Sequence, residues 1–209
     1  LKQERFSYTS EDYRVYFPFK QVMHGLFDIT QRIFGLQIEP VQSVPVWHDD
    51  VRCYSVRDRN SSLRGYFYVD LYARSKKRGG AWMDDYCSRN QSPNGKIESP
   101  IAYLNCNFTP PVGDLPALLT HDDVVTVFHE FGHTLHHILT QVDYADVAGI
   151  NGVMWDAVEF PSQFLEHWCY TPEGLAILAK HYETDTALPH DMQHQLIQSR
   201  CFQGAMHMM

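Results

Sequence analysis

The stretch FHEFGHTLHH at positions 128–137 places four histidines and a glutamate within ten residues. His129 and His133 stand four positions apart. Four residues is just over one α-helical turn, so on a helix both imidazoles leave the same face and can grip one divalent cation. Glu130 points about 100° further round, outside that grip but able to face an open coordination position. A carboxylate there can take a proton from water.

This is the H-E-x-x-H arrangement by which zinc peptidases are recognised. The chain has 12 histidines, so the plain alternative is a solvated His-rich helix face. Three features weigh against it. A capped helix carries the motif, apolar residues (Val124, Val125, Phe128, Phe131, Leu135, Ile138) line its other sides, and Gly132 sits inside it. A mid-helix glycine costs about 1 kcal/mol relative to alanine, which points to close packing at that spot. His136 and His137 are weaker candidates. His137 lies about 12 Å along the axis from His129, too far to share an ion with His129 and His133 on a straight helix.

A third ligand must come from elsewhere. Asp143 and Asp146 fall in the turn just after the helix, which would have to fold back sharply. The segment WDAVEFPSQFLEHW offers a better solution, because the glycine-containing loop before it lets a returning helix bring a carboxylate beside the histidines. Glu159 and Glu166 share a face two turns apart, and spacing leaves the choice between them open. Asp156 and Glu159 also form a D-x-x-E, so Glu159 could instead cap its own helix. Pro161 is tolerated mainly in a first turn.

The elements that must position these groups follow from patterning. Val22, Leu26, Ile29 and Ile33 recur at helical spacing over 19–34, and Gly35 is a natural stop. From 44 to 74 the period changes to two. VRCYSVRD and LRGYFYVDLYAR alternate around the polar loop RNSS, which predicts a hairpin. SKKRGGAWMDD and NQSPNGKIESP carry the Gly, Pro and Asn of loops. IAYLNCNF at 101–108 is a further strand, either a core element or an edge that could pair with an extended peptide. Thr120 offers an N-cap with Asp122 and Asp123 in the first turn, predicting a helix over 121–140. A second helix is expected over 156–169, and helical pattern resumes from 172 with a break near Pro189. The expectation is an α+β fold, mostly helical, with a small sheet ahead of the H-E-x-x-H helix and a second ligand-bearing helix. A single portion over 1–209 would divide into a helical lead-in (1–43), a sheet region (44–110) and the zinc-binding helices (120–209).

Composition removes several function classes. The formal net charge is −8 and no basic run exceeds Lys76-Lys77-Arg78, so the footprint of a nucleic-acid binder is missing. No 18-residue apolar stretch suits a membrane span. Cys53, Cys87, Cys106, Cys169 and Cys201 are odd in number, scattered and without a Cys-x-x-Cys pair. They read as free thiols in a reducing compartment, and with no leader at the N-terminus a cytoplasmic location is expected. No obligatory protein partner is evident.

FHEFGHTLHH, GVMWDAVEFPSQFLEHWCY, GYFYVDLYAR and KRGGAWMDD together resemble the thimet oligopeptidase family of zinc metallopeptidases, most closely its bacterial oligopeptidase A branch. The likeness runs from about Tyr16 to Glu183. It implies a zincin-like fold, Zn2+ held by His129, His133 and Glu159, Glu130 as general base, and short peptides as substrates. The basic loop from Lys76 to Gly80 could border the family's channel or be a solvated turn. Glu166 would then orient a ligand histidine through a hydrogen bond. The family's oxyanion-stabilising tyrosine and histidine lie far beyond the zinc helices, and no matching segment occurs here. The expectation is therefore a fragment of a longer peptidase, able to bind zinc but weak alone, since one lost oxyanion donor costs roughly 10²–10³ in rate. The rival expectation is a zinc-stabilised structural or peptide-binding module without catalysis.

Overall fold

In a computed structural model, residues 8–200 are described. The chain opens with α1 (Ser10–Arg14) and α2 (Phe19–Phe34). Val22, Leu26 and Ile29 of α2 are buried, and Gly35 ends the helix in the left-handed conformation (φ 71°) that side chains disfavour. Strands β1 (Gln37–Pro40), β2 (Arg52–Arg57), β3 (Leu63–Tyr72), β4 (Trp82–Cys87) and β7 (Ile101–Phe108) form a five-stranded sheet. The short hairpin β5 (Asn90–Gln91) and β6 (Ile97–Glu98) stands apart from it. The first strand thus lies inside the segment read as a helical lead-in.

Strands β2 and β3 form the expected antiparallel hairpin. Gly65, Phe67, Val69 and Leu71 turn one face of β3 into the core. Opposite them Arg64, Tyr66, Tyr68 and Tyr72 are half-buried, and Asp70 is fully buried. The sheet order is β1-β2-β3-β7-β4, with β7 parallel to β3 and antiparallel to β4. IAYLNCNF is therefore an interior strand, paired on both sides, and cannot receive a peptide by its edge. The edge on that side belongs to β4, part of a segment whose glycines read as loop. Period-two alternation is broken there by Asp84-Asp85, yet pairing with β7 supplies the backbone bonds that side-chain pattern does not advertise.

α3 (His121–Ile138) crosses the core face of the sheet against β7, β4 and β3. Thr120 accepts from the Asp123 N–H while the Asp123 carboxylate accepts from the Thr120 N–H, a reciprocal cap that starts the helix where the sequence indicates. Phe27, Tyr54, Phe67 and Phe131 interlock between α2, the sheet and α3, with ring centroids 5.1–6.3 Å apart. After α3 come α4 (Phe160–Glu166), α5 (Pro172–Leu178) and α6 (His190–Arg200), the last beginning directly after Pro189. The chain is thus a mixed α+β structure, strands first and most helices after.

The basic loop is a turn exposed at Lys76, Arg78, Gly79 and Gly80, with Lys77 alone turned inward. The Lys77 side chain is only 5% exposed and donates to the Asp70 carboxylate and to the Asp70, Tyr72 and Cys106 carbonyls. Arg74 bonds both Asp70 oxygens at 2.6 Å, and the Trp47 indole donates at 2.9 Å. A buried carboxylate demands such partners. Burial works to raise the Asp70 carboxyl, but its bonds to Arg74, Lys77 and Trp47 outweigh that and hold it well below the usual carboxylate range.

Candidate metal centre

The helix α3 presents His129 and His133 one turn apart, as their spacing requires. Their Nε2 atoms stand 3.2 Å from each other. Glu159 Oε2 lies 3.2 Å from His129 Nε2 and 3.1 Å from His133 Nε2. These three groups offer ligand atoms all within 4.8 Å of one another.

Glu159 reaches this point because α4 begins later than its apolar pattern suggests. Residues 156–159 form turns, and the helix starts at Phe160 with Pro161 in its first turn, where the missing N–H costs nothing. Glu159 occupies the N-cap position, but its side chain makes no cap bond. The capping role suggested by D-x-x-E is not what this carboxylate does; it turns to the histidines.

Close approach of α3 and α4 makes this possible. A Cβ on Gly132 would stand 2.5 Å from Ser162 Cα and 2.6 Å from the Pro161 carbonyl oxygen. Contacts that short do not occur, so position 132 must be glycine for these backbones to touch. The mid-helix glycine flagged by its helix-propensity cost serves the packing expected of it.

Glu166 lies at the end of α4, and its Oε1 sits 2.5 Å from His129 Nδ1. With Nδ1 donating to this carboxylate, the neutral ring keeps a lone pair on Nε2, facing His133 and Glu159. The hydrogen bond to Glu166 raises the His129 pKa, and burial opposes it. For His133, burial dominates and lowers the pKa, favouring the neutral ring. Its Nδ1 is buried without a hydrogen-bond partner, so the polar contacts of the ring are those of Nε2 with Glu159 and His129.

Glu130 is 8% exposed. Burial pushes its carboxyl up, opposed by His129 and by a hydrogen bond from the Met83 backbone on β4. The edge strand β4, unforeseen in the sequence, therefore holds the acid beside the histidines. The two remaining histidines of the motif stay outside the cluster. His137 is fully buried and bonds the Cys87 carbonyl at 3.0 Å, tying the end of α3 to β4. His136 is half-buried, with an unpartnered Nδ1 and a pKa lowered first by burial. Asp143 pairs with Arg89 at 2.7 Å instead of turning back to the site.

The residues fit a metal ion. Two ligands about 2.0–2.1 Å from a tetrahedral ion stand roughly 3.3–3.4 Å apart, close to the observed 3.1–3.2 Å. Two imidazole nitrogens and a carboxylate suit zinc by donor type. Glu130, Glu159 and Glu166 gather negative charge around two imidazoles, which a divalent cation would offset.

Fold and site define a mixed α+β chain with a His/His/Glu cluster, two histidines on a helix that crosses the sheet and a glutamate at the start of the helix packed on it. The chain belongs to peptidase family M3, whose family model matches residues 1–209. It is 53% identical over 205 residues to oligopeptidase A of Haemophilus influenzae, covering 98% of this chain and 30% of that protein. It is 49% identical to oligopeptidase A of Escherichia coli with the same coverage. Against the organellar oligopeptidase A of Arabidopsis thaliana it is 47% identical, covering 98% of this chain and 26% of the relative. The chain thus spans about a third or less of the length of these relatives.

Proposed function

We propose that this chain is the zinc-binding portion of an endopeptidase that hydrolyses internal bonds of short peptides. In this reading His129, His133 and Glu159 hold the metal and Glu130 is the general base. The observation that carries it is the convergence of two Nε2 atoms and one carboxylate oxygen at 3.1–3.2 Å. A buried acid stands next to them in the chain. When bound, zinc supplies a Lewis acid that polarises a carbonyl and lowers the pKa of water at its open position.

The chain's own residues do the remaining work. Glu166 accepts the His129 Nδ1 proton and so keeps Nε2 free and aimed. Glu130 accepts a proton from the attacking water and passes it to the departing amine. Burial raises its carboxyl above the ordinary value, against the opposing effects of His129 and the Met83 backbone. The edge strand β4 lies beside Glu130 and is the place for an extended peptide to pair, with Asp84, Asp85 and Tyr86 exposed on it.

The order of sheet, capped H-E-x-x-H helix and second ligand-bearing helix supports a zincin-like organisation of 1–209 as one catalytic portion. Peptide substrates belong to the whole protein, whose relatives carry the name oligopeptidase A. Nucleic acid and membrane have no part in the reading; among the described residues no helix is long and apolar enough to cross a membrane. Cys53, Cys87, Cys106 and Cys169 are free thiols, in keeping with a reducing compartment such as the cytoplasm, and Cys201 lies outside the described residues.

Glu130→Gln in the whole protein is the test. An enzyme keeps its zinc and loses about 10²–10⁴ in turnover of a quenched oligopeptide. Unchanged turnover sinks the proposed role. A non-catalytic module, the alternative, has no zinc-dependent turnover to lose and keeps its peptide affinity.

A further inference from the structure

We propose that Ser162 is a positioning residue for the metal centre, its hydroxyl holding Glu159 Oε2 where the two histidine nitrogens converge. The inference rests on the zinc reading above and adds to it a residue that touches neither metal nor substrate.

Ser162 is fully buried. Its Oγ lies 2.9 Å from Glu159 Oε2 and 2.8 Å from the Glu159 carbonyl oxygen. Oε2 is the same atom that approaches both Nε2 groups. Glu159 needs such a restraint. Its side chain is 49% exposed and makes no helix-cap bond. A flexible glutamate half in water samples many rotamers, and ordering it costs conformational entropy at the moment a metal binds. A hydroxyl fixed in the wall confines the oxygen beforehand.

The hydroxyl is itself held rigidly. Ser162 stands against Gly132, where the two backbones touch, and it follows Pro161 in the first turn of α4. The packing that brings α4 to the histidines therefore also places the group that aims Glu159. A plain helical role competes with this one, because a serine hydroxyl commonly bonds the carbonyl three residues back. That role stabilises the helix start and leaves metal affinity alone.

Zinc affinity of the whole protein, measured by competition with a chromophoric chelator, separates the two. Thermal melts in excess chelator report on the fold without metal. Ser162→Ala is expected to weaken zinc binding about 10–100-fold, the usual effect of losing a group that orients a ligand. Ser162→Thr, which keeps the hydroxyl, is expected to stay within about threefold of wild type. Because the serine acts through Glu159, adding Ser162→Ala to Glu159→Ala should cost nothing further. Wild-type affinity in Ser162→Ala overturns the proposal, as does an equal loss in the Glu159→Ala background. So does a loss in Ser162→Ala matched by Ser162→Thr, which marks packing as the cause. In all three cases the metal reading stands. Absence of stoichiometric zinc in wild type overturns both.

Discussion

Gly132 of α3 and Ser162 of α4 meet backbone to backbone, and a single added carbon would stand 2.5 Å from Ser162 Cα. Gly132→Ala gains about 1 kcal/mol of helix propensity. Against that, overpacking of a tight interior contact costs about 1–3 kcal/mol, and the obstruction is backbone, which yields least. The expected result is a lower melting temperature without metal. A zinc affinity reduced by about tenfold or more should accompany it, because α4 carries Glu159 away from the histidines as it shifts. Unchanged affinity in a chelator competition would show that the helix spacing does not set the site.

Glu166 and His129 make a second testable pair. Glu166→Ala removes the acceptor for the Nδ1 proton, so the ring can place its proton on Nε2. Zinc affinity is expected to fall about 10–100-fold. Glu166→Gln retains an acceptor oxygen and should fall less. Equal losses in the two variants would mean that charge, and not the tautomer, is what Glu166 supplies.

Metal linkage predicts a stability effect that needs no substrate. Free zinc at 100 times its dissociation constant should stabilise the folded chain by about 2.7 kcal/mol. His133→Ala removes a ligand and should abolish the zinc-dependent rise in melting temperature. A rise that survives in this variant would place the bound zinc elsewhere.

Asp70 supplies a pH prediction remote from the metal. Its folded carboxyl lies below the ordinary value because the bonds from Arg74, Lys77 and Trp47 outweigh burial. The stabilisation is therefore complete above the unfolded pKa near 3.9 and is lost as pH falls from there toward the folded value. Asp70→Asn leaves the Lys77 ammonium buried without its counter-charge and should cost about 3–5 kcal/mol at neutral pH. The variant's stability should also lose the part of its acid dependence due to Asp70. Chemical denaturation at pH 7 and across pH 2–4 measures both; identical acid limbs would show that Asp70 carries no such linkage.

Much of the site was legible because its signals are local. The four-residue spacing of His129 and His133, the Thr120 cap and the helix stop at Gly35 depend on neighbours within one or two turns. Glu159 was less legible. Spacing could not separate it from Glu166, because both lie on one face of the same segment; Pro161 shifts the helix start so that Glu159 stands just outside it. Resemblance to a known family singled it out, and its position beside both Nε2 atoms supports that choice. The edge stayed open for the opposite reason, since IAYLNCNF could be a core element or an edge. IAYLNCNF has the stronger strand pattern, but pattern says nothing about which neighbours a strand acquires, and β4 took the outer place.

The residue types and periods of this chain determined by themselves that it would form a capped helix carrying paired imidazoles, preceded by strands. Periodicity and capping act over a few residues, and no distant partner is needed to read them. Only the tertiary structure decided that Glu159 Oε2 would close on both histidines, that Glu166 would take the outer nitrogen of His129, and that Ser162 would stand behind the carboxylate. Those outcomes hang on α3 and α4 touching at Gly132, a contact between segments some thirty residues apart. It is settled by the packing of both helices and is invisible in either one alone.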